Sequence, residues 1–211
     1  MLDGELTGLD MDVLRAVTEE MGVTNIVWYP FTFSDLIPCL DNGYYDVGMA
    51  ALTPTADRQK VVLFSDPYID VKQMVVVLAG SDYTIEDLKD LTIATMSDST
   101  STDAAKKYCD NIIGFPTEEE AIEAVLDGRA QAAVVDSITA TWSINSNPEL
   151  KSLDILDDKE SYSFAFNMDN EDLRDRFNAA LNAVKESGLL DKILQYYEDN
   201  GYREVPSYFD Q

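Results

Sequence analysis

The chain has 211 residues, with 15 Lys and Arg against 40 Asp and Glu and no His, giving a net charge of −25. So acidic a chain repels phosphate backbones and anionic lipid surfaces, which argues against nucleic acid and membrane surfaces as partners. The lack of His excludes Ser-His-Asp hydrolysis, His-ligated zinc and His general-base chemistry. An apolar fraction of 45% is enough to build a core, and no apolar run approaches the about 18 residues of a membrane span.

Val13, Leu14, Val17 and Met21 share one helical face, with Asp10 as the expected N-cap and Gly22 as the stop. Residues 26–29 read as a strand on their β-branched and aromatic content. Ser34 is expected to cap a short helix through Leu40, ending near Gly43, with Pro38 tolerated close to the first turn. A short buried strand at 47–51, a helical turn at 56–60 and a strand at 74–78 follow.

A second series begins with a short helix at Thr84-Ile85-Glu86-Asp87, a strand at 91–95, a helix at 99–108 and a strand at Ile112-Ile113. Thr117 and Glu120 have capping-box spacing, opening a helix to Leu126 that Gly128 stops. Ala132-Ala133-Val134-Val135 is a continuous apolar run, the mark of a strand covered on both faces in a parallel sheet. A helix with Ile138, Ala140 and Trp142 is followed by strands at 153–155 and 162–166. Asn170 is expected to cap a helix bearing Leu173, Phe177, Leu181 and Val184, stopped by Gly188; a last helix with Leu190, Ile193, Leu194 and Tyr197 stops at Gly201.

The reading is α/β with mainly parallel sheets. Extended apolar segments near 71–78 and 162–167 read as two crossings. They divide the chain into lobe 1 (1–75 plus 165–211) and lobe 2 (76–164), a two-lobe clamp around a cleft.

Three constellations could carry chemistry. Thr53-Pro54-Thr55-Ala56-Asp57-Arg58 follows a predicted strand, where open α/β sheets hold ligands; its hydroxyls and the Arg58 guanidinium suit an anion, although on the residues alone an ordinary loop with a surface Arg is the commoner arrangement. Asp98-Ser99-Thr100-Ser101-Thr102 also lies between a strand and a helix and doubles as a simple N-cap cluster. Asp136, at the end of the apolar run, either accepts from an ammonium group or caps the next helix. Phe33 is an apolar wall or a core aromatic. The runs Asp157-Asp158 and Glu118-Glu119-Glu120 read as solvated faces. Cys39 and Cys109 fall in different lobes, too far apart for a disulfide and without a partner to activate either thiol.

Taken in order, Gly4-Glu5-Leu6-Thr7-Gly8-Leu9-Asp10-Met11-Asp12, Phe33-Ser34-Asp35-Leu36-Ile37-Pro38, Thr53 to Arg58, Phe64-Ser65-Asp66-Pro67-Tyr68, Asp87-Leu88-Lys89-Asp90-Leu91 and Ala132 to Ser137 resemble the extracellular solute-binding proteins of polar-amino-acid ABC importers. The resemblance implies the type II periplasmic-binding-protein fold, an extracytoplasmic location (periplasmic or as a cell-surface lipoprotein), an amino-acid ligand, a membrane permease as partner, no cofactor and no catalysis. It also implies that Arg58 binds the ligand α-carboxylate with Thr53 and the Thr100 amide. Asp136 would take the α-ammonium with the Ala51 carbonyl, Phe33 would stack on the aliphatic part, and Met96 and Ser99 would line lobe 2. A receptor's ligand-sensing domain would use the same pocket. Cyclohexadienyl and arogenate dehydratases resemble the fold too, and would need a general acid, for which Asp98 or Glu160 are the residues on offer.

Two departures from the family stand out. Asp98 occupies a position where the family usually has Gly. A first strand and an aromatic loop normally precede the Gly-Glu-Leu-Thr-Gly segment, and this chain starts after them, with no export signal. The expectation is therefore unpaired edges along 26–29 and 47–51 and weak or absent ligand binding. The edges would be closed by rearrangement or by the tail 202–209 adding a strand, from a neighbouring chain in a strand-swapped homodimer if not from its own.

Overall fold

A computed structural model of the chain describes residues 6–202 and 205–210. In chain order the elements are α1 (Leu9–Glu20), α2 (Phe33–Asp41), β1 (Val62–Phe64), β2 (Ile69–Leu78), β3 (Ile93–Met96), α3 (Thr100–Ala105), β4 (Ile112–Phe115), α4 (Glu118–Leu126), β5 (Ala132–Asp136), α5 (Ser137–Ser146), β6 (Leu150–Tyr162), β7 (Ala165–Asn167), α6 (Glu171–Glu186) and α7 (Leu189–Asp199). Short 3-10 helices occupy Arg58–Lys60, Ile85–Asp90 and Tyr208–Asp210. The chain divides into unit 1, Met1–Asp70 with Ser161–Gln211, and unit 2, Val71–Glu160. The crossings thus fall inside β2 and β6, a few residues before the expected 75 and 164. The shift has a simple cause: the Val75-Val76-Val77 run is interior to the unit 2 sheet, paired with Val134, Ala133 and Ala132.

Unit 2 is built on one five-stranded sheet in the order β4-β3-β5-β2-β6. The β4, β3 and β5 strands run parallel, while β2 is antiparallel to β5. Side chains alternate across the sheet, so Val76, Ala94, Ala133 and Val135 meet α4 and α5 on one face. Val75, Val77, Ile93, Ala132 and Val134 meet α3 and the Ile85–Asp90 turn on the other. Every residue of β5 is buried, as the unbroken apolar run implies.

Unit 1 departs from the expected parallel sheet. Its regular strands are β1 and β7, paired antiparallel from Val62↔Asn167 to Phe64↔Ala165. The segment 47–51 contributes one isolated bridge, Gly48 to Ala165, in place of a strand. Residues 26–29 form no strand at all, and Val27, Trp28 and Tyr29 are 63%, 40% and 58% exposed. A strand is a ladder before it is a propensity, and among the described residues nothing pairs with 26–29. The core of unit 1 is carried by helices instead. Val13, Leu14, Ala16 and Val17 of α1 are buried against α6 and α7, Phe177 of α6 lies 5.0 Å from Phe164 and 5.2 Å from Phe166, and Leu36 and Leu40 of α2 close over Gly48. A Cβ on Gly48 would meet Leu40 Cδ1 at 2.6 Å, so any side chain there would force the buried Leu40 to move.

Several helix ends differ from expectation. Gly8, not Asp10, precedes α1, because the Asp10 carboxylate is engaged elsewhere. Thr32, not Ser34, precedes α2, its hydroxyl donating to Asp35 at 2.6 Å. Pro38 lies well inside α2 rather than near its first turn, which leaves the Ser34 carbonyl without its helical donor. Among its described residues the tail adds no strand. Its donors go to the buried Asp12 carboxylate, which accepts from the Tyr208 amide at 2.7 Å and the Ser207 hydroxyl, while Tyr197 of α7 donates to it at 2.7 Å. Gly4 and Glu5 of the opening motif and Arg203 and Glu204 of the tail lie outside the described residues, as do the side chains of Asp157 and Asp158. Cys39 and Cys109 are free thiols in units 1 and 2; the Cys109 sulfur is buried and donates to the Leu91 carbonyl.

Candidate functional site

In unit 1 the chain leaves the Gly48 bridge and turns sharply at Ala51, which has φ 50°, a left-handed conformation that costs a residue with a Cβ. Leu52 is then anchored by burial and by its carbonyl, which accepts from the Ser163 amide at 3.0 Å. The Thr53 carbonyl accepts from Arg58 Nη1 at 2.9 Å, and the Thr55 hydroxyl accepts from the Arg58 amide at 3.2 Å. The Arg58 guanidinium lies 5.3 Å over the Phe33 ring at the start of α2. Phe33, Thr53 and Arg58 are therefore brought together as one set, with the Ala51 backbone two residues before Thr53. The Thr53 carbonyl and the Phe33 ring both hold the Arg58 guanidinium.

Beneath this loop lies a residue that sequence reasoning misassigned. Asp10, in the first turn of α1, accepts from the Ala51 amide at 2.8 Å and from the Tyr68 hydroxyl. Burial pushes the Asp10 carboxyl above its ordinary value, and the Tyr68 and Ala51 donors pull it back in part. Burial, followed by the Asp10 charge and hydrogen bond, pushes the Tyr68 hydroxyl well up.

In unit 2, β3 and β5 run side by side, so their C-terminal residues Met96 and Asp136 end at the same edge of the sheet. After Met96 the chain passes through Asp98 with φ 59°, the left-handed geometry for which the family's glycine is suited. Ser99 turns back to donate to the Met96 carbonyl at 2.6 Å, and Thr100 opens α3. Asp136 precedes α5, but its side chain makes no capping hydrogen bond. It accepts from Gln73 Nε2 of β2, and Gln73 also donates to Thr100 at 3.4 Å and to Glu160 at 3.2 Å. Thr100 in turn donates to Glu160 at 2.8 Å. Since carboxylates accept only, Gln73 must turn its nitrogen to them, and its Oε1 is left buried without a partner. Thr100 and Asp136 are thus linked through Gln73, with Glu160 accepting from both Thr100 and Gln73, while Ser99 is tied to Met96.

Glu118 corrects another expectation. It is 8% exposed rather than solvated, and its Oε1 accepts from the Asp136 amide at 2.8 Å and from Ser101 at 3.2 Å. Burial, and next the Asp136 charge, push its carboxyl up to about 8. The Thr117 hydroxyl accepts from the Glu120 amide at 3.2 Å as the box pattern anticipated. Gln73 was missed altogether, since one Gln in an apolar strand carries no local signal; Glu160 entered only as a general acid for the dehydratase alternative.

A model of the bacterial extracellular solute-binding proteins, family 3, matches residues 1–200. A probable histidine-binding protein of Campylobacter jejuni is 29% identical over 201 residues, spanning 93% of this chain and 78% of the relative. The arginine-binding extracellular protein ArtP of Bacillus subtilis is 29% identical over 197 residues, spanning 89% and 76%. The solved structure of an ancestral arginine-binding protein bound to arginine is similar at 33% identity with a TM-score of 0.86, covering 94% of this chain and 90% of that one. These neighbours are type II periplasmic binding proteins, the α/β fold expected from the sequence. This chain belongs to the bacterial extracellular solute-binding proteins of family 3.

Proposed function

We propose that the chain captures a free amino acid outside the cytoplasm and delivers it to an ABC permease, acting as a binding protein and not as a catalyst. One observation carries the reading: opposite charges are segregated between two built groups. Unit 1 holds a guanidinium stacked on Phe33 beside Thr53, and unit 2 holds a strand-end carboxylate, Asp136, gripped by a buried Gln73. A zwitterion needs one of each. In this reading Arg58, Thr53 and the Thr100 amide take the α-carboxylate, and Asp136 with the Ala51 carbonyl takes the α-ammonium. Phe33, Met96 and Ser99 flank the rest of the ligand. The names of the relatives, histidine- and arginine-binding, support an amino acid and favour one with a basic side chain; a net charge of −25 suits the same choice.

The test is calorimetry with the twenty standard L-amino acids, followed by Arg58→Ala. Removing one partner of a charge pair that the bound ligand buries costs about 2–5 kcal/mol, so affinity for the best ligand drops at least about 30-fold. Undiminished affinity would refute the carboxylate role. Asp136→Asn weakens amino acids far more than the corresponding deaminated acids, and equal loss for both would refute the ammonium role.

A further inference from the structure

The loop that bears the proposed carboxylate site contains an unfavourable backbone. Ala51 sits at φ 50°, in the left-handed region that disfavours any residue with a Cβ by about tenfold in population. Something must hold it there, and the neighbouring contacts show what. Leu52 is fixed by burial and by the Ser163 amide, so rotation at Ala51 swings the 50–51 peptide against a stationary 52–53. The Ala51 amide is held by Asp10 Oδ2, and Asp10 Oδ1 is itself held by the hydroxyl of Tyr68. Tyr68 is 4% exposed and wedged at 5.0 Å from Phe164. Asp10 makes none of the capping bonds that its place near the start of α1 suggests, since the amide it accepts from is 41 residues away.

We propose that Asp10 is a positioning residue for the amino-acid site, holding Ala51 in its left-handed conformation so that the 51–53 backbone faces the ligand. The inference rests on the reading of Arg58 and residues 51–53 as the carboxylate site. It assigns a reason for a half-buried acid with no cation beside it among its described partners: a carboxylate is the acceptor that can hold the Ala51 amide and the Tyr68 hydroxyl at once.

A double-variant cycle tests it. The probe is whichever of the twenty standard L-amino acids gives the largest melting shift in the unaltered chain, with affinity read by calorimetry. Asp10→Ala lowers affinity about tenfold. In an Ala51→Gly background, where glycine enters the left-handed region without steric cost, the same Asp10→Ala change lowers affinity less than threefold. An equal loss in both backgrounds would mean that Asp10 serves α1 or general stability, and would overturn the proposal. If Asp10→Ala does not fold, the cycle runs with Tyr68→Phe, which removes one of the carboxylate's two donors. The expected loss is then about threefold with Ala51 and none with Ala51→Gly, and the same criterion decides. Arg58→Ala separates the two claims: if it leaves binding intact the site reading fails, whereas if it abolishes binding and the cycle is additive only the role of Asp10 fails.

Discussion

Replacing Glu118 by Gln removes one titratable proton from the interior of unit 2 and preserves an oxygen for the Asp136 amide and the Ser101 hydroxyl. In the native chain the Glu118 carboxyl is pushed from an ordinary 4.5 up to about 8, by burial first and by the Asp136 charge second. The folded state therefore binds this proton more tightly than the unfolded chain across that interval. Its contribution to stability is complete below pH 4.5, falls as pH rises and is lost above about pH 8. A carboxyl displaced that far corresponds to at most about 5 kcal/mol over the full interval. Urea unfolding at several pH values between 5 and 8.5 measures the effect directly. The stability of the native chain should fall by several kcal/mol relative to Glu118→Gln over this range; titrating groups remote from Glu118, Asp10 included, cancel in the comparison, and the difference reports Glu118 together with its coupling to Asp136. Parallel pH curves for the two proteins would refute the assignment of a buried, protonated Glu118.

Other outcomes follow from single contacts. Gly48→Ala places a methyl against Leu40 and Leu36, both fully buried, and should destabilise unit 1 by about 1–3 kcal/mol in denaturant titration. Phe177→Ala empties the space between Phe164 and Phe166 and should cost about 3–5 kcal/mol by the same measure. Thiol titration under denaturing, non-reducing conditions should find two groups; in the native chain Cys39 should react well before Cys109, which is 4% exposed.

The sequence reading succeeded where a residue's fate depends on its near neighbours. The apolar run at β5 implied a strand covered on both faces, and the stops at Gly22, Gly43, Gly128, Gly188 and Gly201 all adopt positive φ. It failed where distant partners decide. Residues 26–29 have strand composition but no ladder to join. Asp10 looks like a cap and is drawn instead to an amide 41 residues on. Glu118 sits in an acidic triplet that reads as solvated, yet it is buried under the end of β5. The same division runs through the candidate site. Asp136 and Thr100 announce themselves by residue type near strand ends and Arg58 and Thr53 by residue type in a loop, while Gln73, which ties the first two together, lies in an apolar strand and becomes visible only when β2 is paired with β5.

The way unit 1 is assembled from both ends of the chain bears on how the protein is made. Unit 2 is one continuous stretch, so all its strands are present in the chain once residue 160 has been added, and its sheet needs nothing made later. Unit 1 has no such option. The helix α1 buries Val13 and Val17 against α6 and α7, and the partners of Asp12 lie 185 to 196 residues further on. Until those residues are made, α1 is an amphipathic helix with its apolar face bare and a carboxylate awaiting its donors. The packing of unit 1 thus depends on α6, α7 and residues 207–208, whatever the state of unit 2.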